Sequence, residues 1–257
     1  MQGLLAIWTR ELRAYFISPI FYALATVFIF IISFTFSQSL EYYQQVFMQA
    51  AQYPPMMERL NINEMIMRPL FSTMSFVAVL ILMPMLTMRV FSEEKKSGTI
   101  ELILTSPVKD WHVILGKFLA AFSLYGALIG LTLIYPLVLQ LYGDPDWGPI
   151  WTGYFGLLLM GAGVITIGLF VSSLTENQIV AGAVCFGVAL VLWMLDAASQ
   201  SVPGPLGQVL GFLSVIRHYD TFGKGILDST DFLFYASFIY FGLFITVRSV
   251  ESTRWRQ

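Results

Sequence analysis

Hydrophobic and polar positions in this chain come in blocks rather than in alternation. Six stretches hold no Asp, Glu, Lys or Arg: 14–40, 69–88, 118–143, 147–175, 177–195 and 232–247. Crossing the ~30 Å hydrocarbon core of a bilayer takes about 20 mostly apolar residues in a helix, which satisfies its own backbone hydrogen bonds. Each stretch therefore predicts a membrane-spanning helix, and the expected fold class is an all-α membrane protein with six transmembrane helices. The last stretch covers only roughly 24 Å at 1.5 Å per residue. Asp231 and Arg248 are accordingly expected at its two interfaces, with the arginine stem snorkelling. Only Thr175-Glu176-Asn177 separates the fourth stretch from the fifth, a tight helical hairpin.

Composition agrees with lipid as the main solvent. The chain has 257 residues, 57% of them hydrophobic and 12% charged, against roughly 25% charged in an ordinary soluble domain. A core of that size in water would need a charged exterior that these residues cannot supply. The net charge of -2 offers no basic field for nucleic acid, and the single Cys185 lies in an apolar run and cannot form an intrachain disulfide. The first residues lack the early basic region of a signal peptide, and Glu11 argues against a transit peptide. The first span is expected to remain as an uncleaved anchor.

Six spans put both termini on one side. If that side is the cytoplasm, ten of the 14 Lys and Arg face inward, leaving Arg59, Arg68, Arg217 and Lys224 outside. Basic residues concentrate on the cytoplasmic side, so a multi-pass protein of a bacterial inner membrane with cytoplasmic termini is expected. No repeat or linker divides 1–257, which reads as one domain. In 3–17, Leu4, Leu5, Ile7, Trp8, Leu12 and Phe16 alternate with Arg10, Glu11 and Arg13 at helical spacing. That segment either lies flat in the interface or extends the first span inward.

Two outer segments, 41–68 and 200–231, are too long for simple turns. The second carries Pro203-Gly204-Pro205 and then Gly211, Gly223 and Gly225 among apolar residues, which predicts short interfacial or re-entrant helices. Met56, Met57, Met65 and Met67 crowd the first; thioethers can hold Cu(I), but adaptable packing is their far commoner role. Gly156, Gly161, Gly163 and Gly168 would let backbones approach closely, in a dimer seam or within the chain.

The densest charge cluster lies between the second and third stretches, in the segment 89–110. Gly98 can end one helix in a left-handed cap, Thr99 can start the next, Glu101 favours its first turn, and Pro107 stops it. Ile100, Ile103 and Leu104 fall on one face of that short helix. The pattern Arg89-x-Phe91-x-Glu93-Glu94-x-x-x-Gly98-Thr99-x-Glu101-Leu102-x-Leu104-x-x-Pro107 resembles the coupling-helix motif of exporter-type (type 2) ABC transporter permeases. The similarity extends through Asn61-Ile62-Asn63-Glu64, Gly116-Lys117-Phe118 and Arg217-His218-Tyr219-Asp220-x-Phe222-x-Lys224-Gly225-x-x-Asp228-x-x-Asp231. It is strongest to the gliding-motility-associated branch.

The resemblance implies a permease subunit that couples ATP hydrolysis on a separate cytoplasmic ABC ATPase to export or to work in the periplasm. It implies a second permease copy, identical or not, and an additional membrane partner with a periplasmic domain. ATP and Mg would bind the ATPase, so no cofactor and no catalysis are expected on this chain. Arg89, Phe91, Glu93, Glu94, Gly98, Thr99, Glu101, Leu102, Ile103, Leu104 and Pro107 are the docking residues it implies, with Ile103 and Leu104 as anchors. A scaffold that transmits force without passing cargo would use the same contact.

Other chemistries fit less well. Neither Gly116-Lys117-Phe118 nor Gly223-Lys224-Gly225 makes a phosphate-binding loop. An ion-coupled transporter places ionisable groups mid-membrane, and only Asp196 abuts one stretch. An intramembrane metalloprotease lacks its His-Glu-x-x-His, since the two histidines are His112 and His218. Arg217, His218, Asp220, Lys224, Asp228 and Asp231 form a mixed-sign outer group whose expected role is structural, with cargo binding as the sharper alternative.

Overall fold

A computed structural model describes residues 2–52, 60–99 and 109–254, and among these all regular structure is helical. Helix α1 (Gln2–Ile17) precedes the first long helix, α2 (Pro19–Ala50). There follow α3 (Asn63–Lys96), α4 (Asp110–Tyr142), α5 (Trp147–Leu174) and α6 (Gln178–Ser201). Two short helices, α7 (Pro205–Leu213) and α8 (Val215–Gly223), lead into α9 (Ser229–Arg254). Helices α2 to α6 and α9 are long and apolar enough to cross a membrane. The six expected spans are therefore present, with the two short helices before the last.

Prolines explain several local features. Pro19 has no N–H and disfavours helical geometry at the residue before it. Ser18 is accordingly extended, and α1 is a separate helix rather than an extension of α2. Within α3, the π-helical stretches Asn63–Met67 and Ala78–Leu82 each end two residues before a proline, Pro69 and Pro84. The wider turn lets the ladder continue past a missing donor. In α4, Pro136 cannot donate to the Thr132 carbonyl. The helix loosens there, and the Tyr154 hydroxyl of α5 donates to that oxygen instead at 2.9 Å.

Helix α5 is the axis of the domain. Five of its six glycines receive a side chain from another element: Gly153 faces Phe71, Gly156 faces Phe222, Gly161 faces Tyr125, Gly163 faces Phe238 and Gly168 faces Thr87. A methyl group at Gly161 would lie 2.1 Å from the Tyr125 ring, and one at Gly168 would lie 1.9 Å from the Thr87 hydroxyl oxygen. These glycines serve packing within the chain. Together α3 and α5 are largely buried, whereas α6 is buried over only 17% of its apolar window. Its exposed Ile179, Val191 and Met194 are the surface that lipid or another chain would cover.

The helices run past the charge-free stretches that announce them. Helix α2 absorbs 41–50, α3 starts at Asn63, and α4 starts at Asp110. The last span, read as 232–247, is 24 residues long over Ser229–Ser252. Backbone hydrogen bonding does not stop at the hydrocarbon edge, and end charges pair along the helix, as Arg248 does with Glu251 at 2.9 Å.

Candidate functional site

Near its end α3 is interrupted by a turn at 88–91 and closes with the short helix Ser92–Lys96. This tail abandons backbone groups that need partners. Ser172, near the end of α5, supplies them: its hydroxyl oxygen accepts from the Phe91 and Ser92 amides at 3.0 and 3.2 Å, and its hydroxyl donates to the Met88 carbonyl at 3.1 Å. In return Lys95 Nζ donates to the Ser173 carbonyl at 2.6 Å, capping α5. Gly98 ends the short helix at φ +69°, a left-handed conformation that a side chain penalises. Thr99 turns back on that helix, its hydroxyl 2.9 Å from the Ser97 hydroxyl. Glu101, Leu102, Ile103, Leu104 and Pro107 lie outside the described residues.

Beneath this segment sits an ion-pair ring, buried at its lysine and open to solvent at its arginine. Lys117, two turns into α4, has a side chain wholly shielded from solvent. Its Nζ lies 2.8 Å from Glu94 Oε1, 3.1 Å from Glu11 Oε1 and 2.8 Å from the Val90 carbonyl. Those are three acceptors for the three N–H bonds of an ammonium group. It also stands 5.1 Å from the centre of the Phe91 ring. On the other side, Arg10 Nη2 donates to the same two oxygens, at 2.6 Å to Glu11 and 2.8 Å to Glu94. Two carboxylates thus bridge two cations and the ring is neutral, the condition under which charges are tolerated away from water. Glu94 Oε2 is buried with no hydrogen-bond partner among the described residues.

Electrostatics follow from that geometry. Burial by itself would raise the Glu11 carboxyl, but the Lys117 ammonium and the Arg10 guanidinium outweigh it and hold it below its usual value. Beside the ring, Arg89 donates to Glu93 at 3.2 Å and to the Ser18 hydroxyl at 3.0 Å. The Tyr15 hydroxyl donates to the Leu86 carbonyl at 2.7 Å, and its burial raises its pKa. A cleft of about 290 Å³ opens between Arg10, Tyr15, Arg89 and Glu93.

The structure separates the sequence-predicted residues here into two kinds. Phe91 is buried at 1% exposure and faces this chain's own helices, so it supports the segment from within. Glu94 is likewise turned inward to Lys117, whereas Glu93 is about half exposed. Lys117, Glu11, Arg10 and Ser172 are the residues that motif reading passed over as partners. One signal was available: a lone lysine in Ile114-Leu115-Gly116-Lys117-Phe118-Leu119 needs a counter-charge.

At the opposite end, the outer group divides. Asp220 meets Arg68 at 3.6 Å and pairs with Lys224, all three substantially exposed, and Arg68 also binds Glu64 at 2.8 Å. Asp228 accepts from the Thr230 amide at 2.9 Å and starts α9. Arg217 is exposed over a shallow cleft shared with Asp196. His218 instead turns inward to Asp231. Asn63 binds the backbone of Asp146 through both ends of its amide, at 2.7 and 3.2 Å, tying α3 to the loop before α5. No group of three His, Cys, Asp or Glu that could hold a metal occurs among the described residues. Met67 is buried in the core, while Met56 and Met57 lie outside the described residues.

The family described as "ABC-2 family transporter protein" matches residues 5–248. A protein of Escherichia coli (strain K12) named "Probable multidrug ABC transporter permease YbhR" is 28% identical over 138 residues. The protein of that name in Escherichia coli O157:H7 matches equally. The match covers 52% of this chain and 37% of each relative, so it spans little more than a third of their length.

Proposed function

The chain belongs to the ABC-2 transporter family, and from that premise we propose that it is the permease subunit of an ATP-driven exporter whose ATPase is a separate cytoplasmic chain. The observation that carries this reading is the seating of 88–98. Lys117 of α4, Arg10 of α1 and Ser172 of α5 all reach that one segment, and Glu11 of α1 bridges the two cations. A load applied to it is therefore delivered to several helices at once, which is what a coupling element must do. ATP and Mg would be held by the partner.

In this reading both termini and the coupling segment face the cytoplasm of a bacterial inner membrane, in line with the charge asymmetry. A second copy would complete the transporter, and the sparsely buried α6 offers apolar surface for lipid or for that copy. The Arg217-His218-Tyr219-Asp220 motif supports placement in the gliding-motility-associated branch, with an added periplasmic partner. The multidrug assignment belongs to the Escherichia coli relative; the same seating serves export of cargo or force delivered to the periplasm.

The test is co-purification of the detergent-solubilised chain with the P-loop ATPase of its own host, followed by an ATPase assay. The ATPase is expected to accompany the wild type and to be lost from Glu101→Arg, with membrane insertion unchanged. A chain that purifies alone as a folded oligomer, or a Glu101→Arg chain that keeps its ATPase, overturns the docking site.

A further inference from the structure

The coupling segment leaves unused a pair of titratable groups at the other end of the molecule. His218 on α8 and Asp231 in the first turn of α9 are each 7% exposed. His218 Nδ1 lies 2.6 Å from Asp231 Oδ1, and Nε2 lies 2.9 Å from the carbonyl oxygen of Phe212, the penultimate residue of α7. The Phe234 ring stacks on the imidazole at 3.9 Å between centroids, and the Phe212 ring meets it edge-on at 5.7 Å. One imidazole therefore joins three elements inside an aromatic sleeve.

Counting hydrogens decides what this contact holds. A carbonyl oxygen has no proton to give, so Nε2 must carry one. An ionised carboxylate has none either, so Nδ1 must carry a second, or else Asp231 is itself protonated and donates to a bare Nδ1. Both arrangements contain one proton more than a neutral imidazole beside an ionised carboxylate. Without that proton one of the two contacts must fail: a bare Nδ1 would confront the carboxylate at 2.6 Å, or a bare Nε2 would confront the Phe212 carbonyl at 2.9 Å.

Among the described residues, no neighbouring group can take the proton's place. From α9, Tyr235 faces the imidazole at 6.5 Å, but its hydroxyl donates to the Val215 carbonyl at 2.7 Å. From α7 only the Phe212 backbone and ring face the pair. On α8, Arg217 lays its guanidinium against Gly211 of α7 and lines the cleft near Asp196, without a hydrogen bond to His218 or Asp231, and Lys224 is paired with Asp220. Asp228, ahead of α9, is exposed and caps that helix.

We propose that His218 and Asp231 form a proton-binding site that holds one proton between imidazole and carboxylate and thereby pins α7 and α8 to the last span. The ligand is the proton itself. The site stands apart from the ion-pair ring at the other end, so it does not depend on how nucleotide coupling works.

The experiment uses the full chain in detergent, labelled with 15N-histidine and 13C-aspartate. There are two histidines, so His112→Gln assigns the His218 resonances, and Asp231→Asn assigns the carboxyl. The expected result is a pair with one extra proton: both His218 ring nitrogens protonated beside an ionised Asp231, or a bare Nδ1 beside a protonated Asp231. A neutral imidazole beside an ionised Asp231, with either ring nitrogen bare, overturns the proposal. The pinning role has its own readout. In the wild type, raising the pH should lower amide-exchange protection across α7 and α8 roughly ten- to hundredfold, the worth of a charged hydrogen bond. Asp231→Asn should abolish that dependence, because the asparagine amide can donate to a neutral imidazole. Equal pH dependence in both chains overturns the pinning.

Discussion

Lys117 and Glu94 meet at 2.8 Å across two helices, the lysine side chain wholly buried and the glutamate at 15% exposure. The contact crosses from the foot of α4 to the tail of α3, and Glu11 and Arg10 close it into a ring. Its energetic weight lies less in the attraction than in what remains if one member is removed.

Lys117→Met should therefore be strongly destabilising. It leaves Glu11 and Glu94, at 14% and 15% exposure, sharing only Arg10, itself 54% exposed, a loss of up to about 3–5 kcal/mol. Thermal unfolding of the detergent-solubilised chain checks this, and Lys117→Met/Glu94→Gln should recover part of the loss. A single variant that melts with the wild type would show that the ring does not hold the segment.

Acid should open the same contact. The Glu11 carboxyl is held below its usual value in the folded chain, so its stabilising contribution is present above the unfolded value and lost as the pH falls through the lowered one. Wild-type stability should decline on the acid side of the ordinary carboxylate range. Glu11→Gln should be less stable at neutral pH and should show a flatter acid limb. Parallel melting curves against pH for the two chains would contradict the assignment.

Glycines on α5 and α6 should respond in opposite ways to the same substitution. At Gly161 a methyl group would meet the Tyr125 ring at 2.1 Å, whereas at Gly187 nothing lies within 4 Å. Gly161→Ala should cost about 1–3 kcal/mol through overpacking. Gly187→Ala should be neutral or stabilising by up to about 1 kcal/mol, the helix-propensity gain. Unfolding midpoints measured side by side decide it.

Gly98 isolates a purely conformational effect. Among the described residues nothing lies within 4 Å of where its side chain would be, yet its φ is +69°. Gly98→Val should strain the turn by about 1–2 kcal/mol and weaken ATPase association, while Gly98→Asn, which tolerates the left-handed region better, should retain more of it. Pull-down of the ATPase with the two variants gives the order; equal retention would remove the turn from the docking geometry.

Much of the architecture was legible in the chain because the membrane constrains each helix separately. The runs 69–88 and 147–175 contain no charge, and a segment in hydrocarbon must satisfy its backbone alone; six spans follow without knowledge of any neighbour. The left-handed Gly98 and the short helices after Pro203-Gly204-Pro205 were likewise readable, since each depends on a few adjacent residues; the break at Ser18-Pro19 was not, because the charge-free stretch 14–40 runs straight through it. Span ends were not, because pairing along a helix carries it beyond the apolar run.

Partners across helices belonged to the tertiary structure alone. Glycine spacing in α5 allowed a dimer seam or internal packing equally, and only the side chains of Phe71, Tyr125 and Thr87 seated on it decided the matter. Phe91 and Glu94 sit in a motif that implied an outward docking role, and they turn inward to Lys117. His218 and Asp231 shared a mixed-sign group with Arg217 and Asp220, and folding put two of them inside and two outside. The physical reason is the same in each case. Hydrophobicity and backbone conformation are local properties of the chain, whereas a counter-charge or a cavity for a side chain is supplied by whichever helix packs alongside.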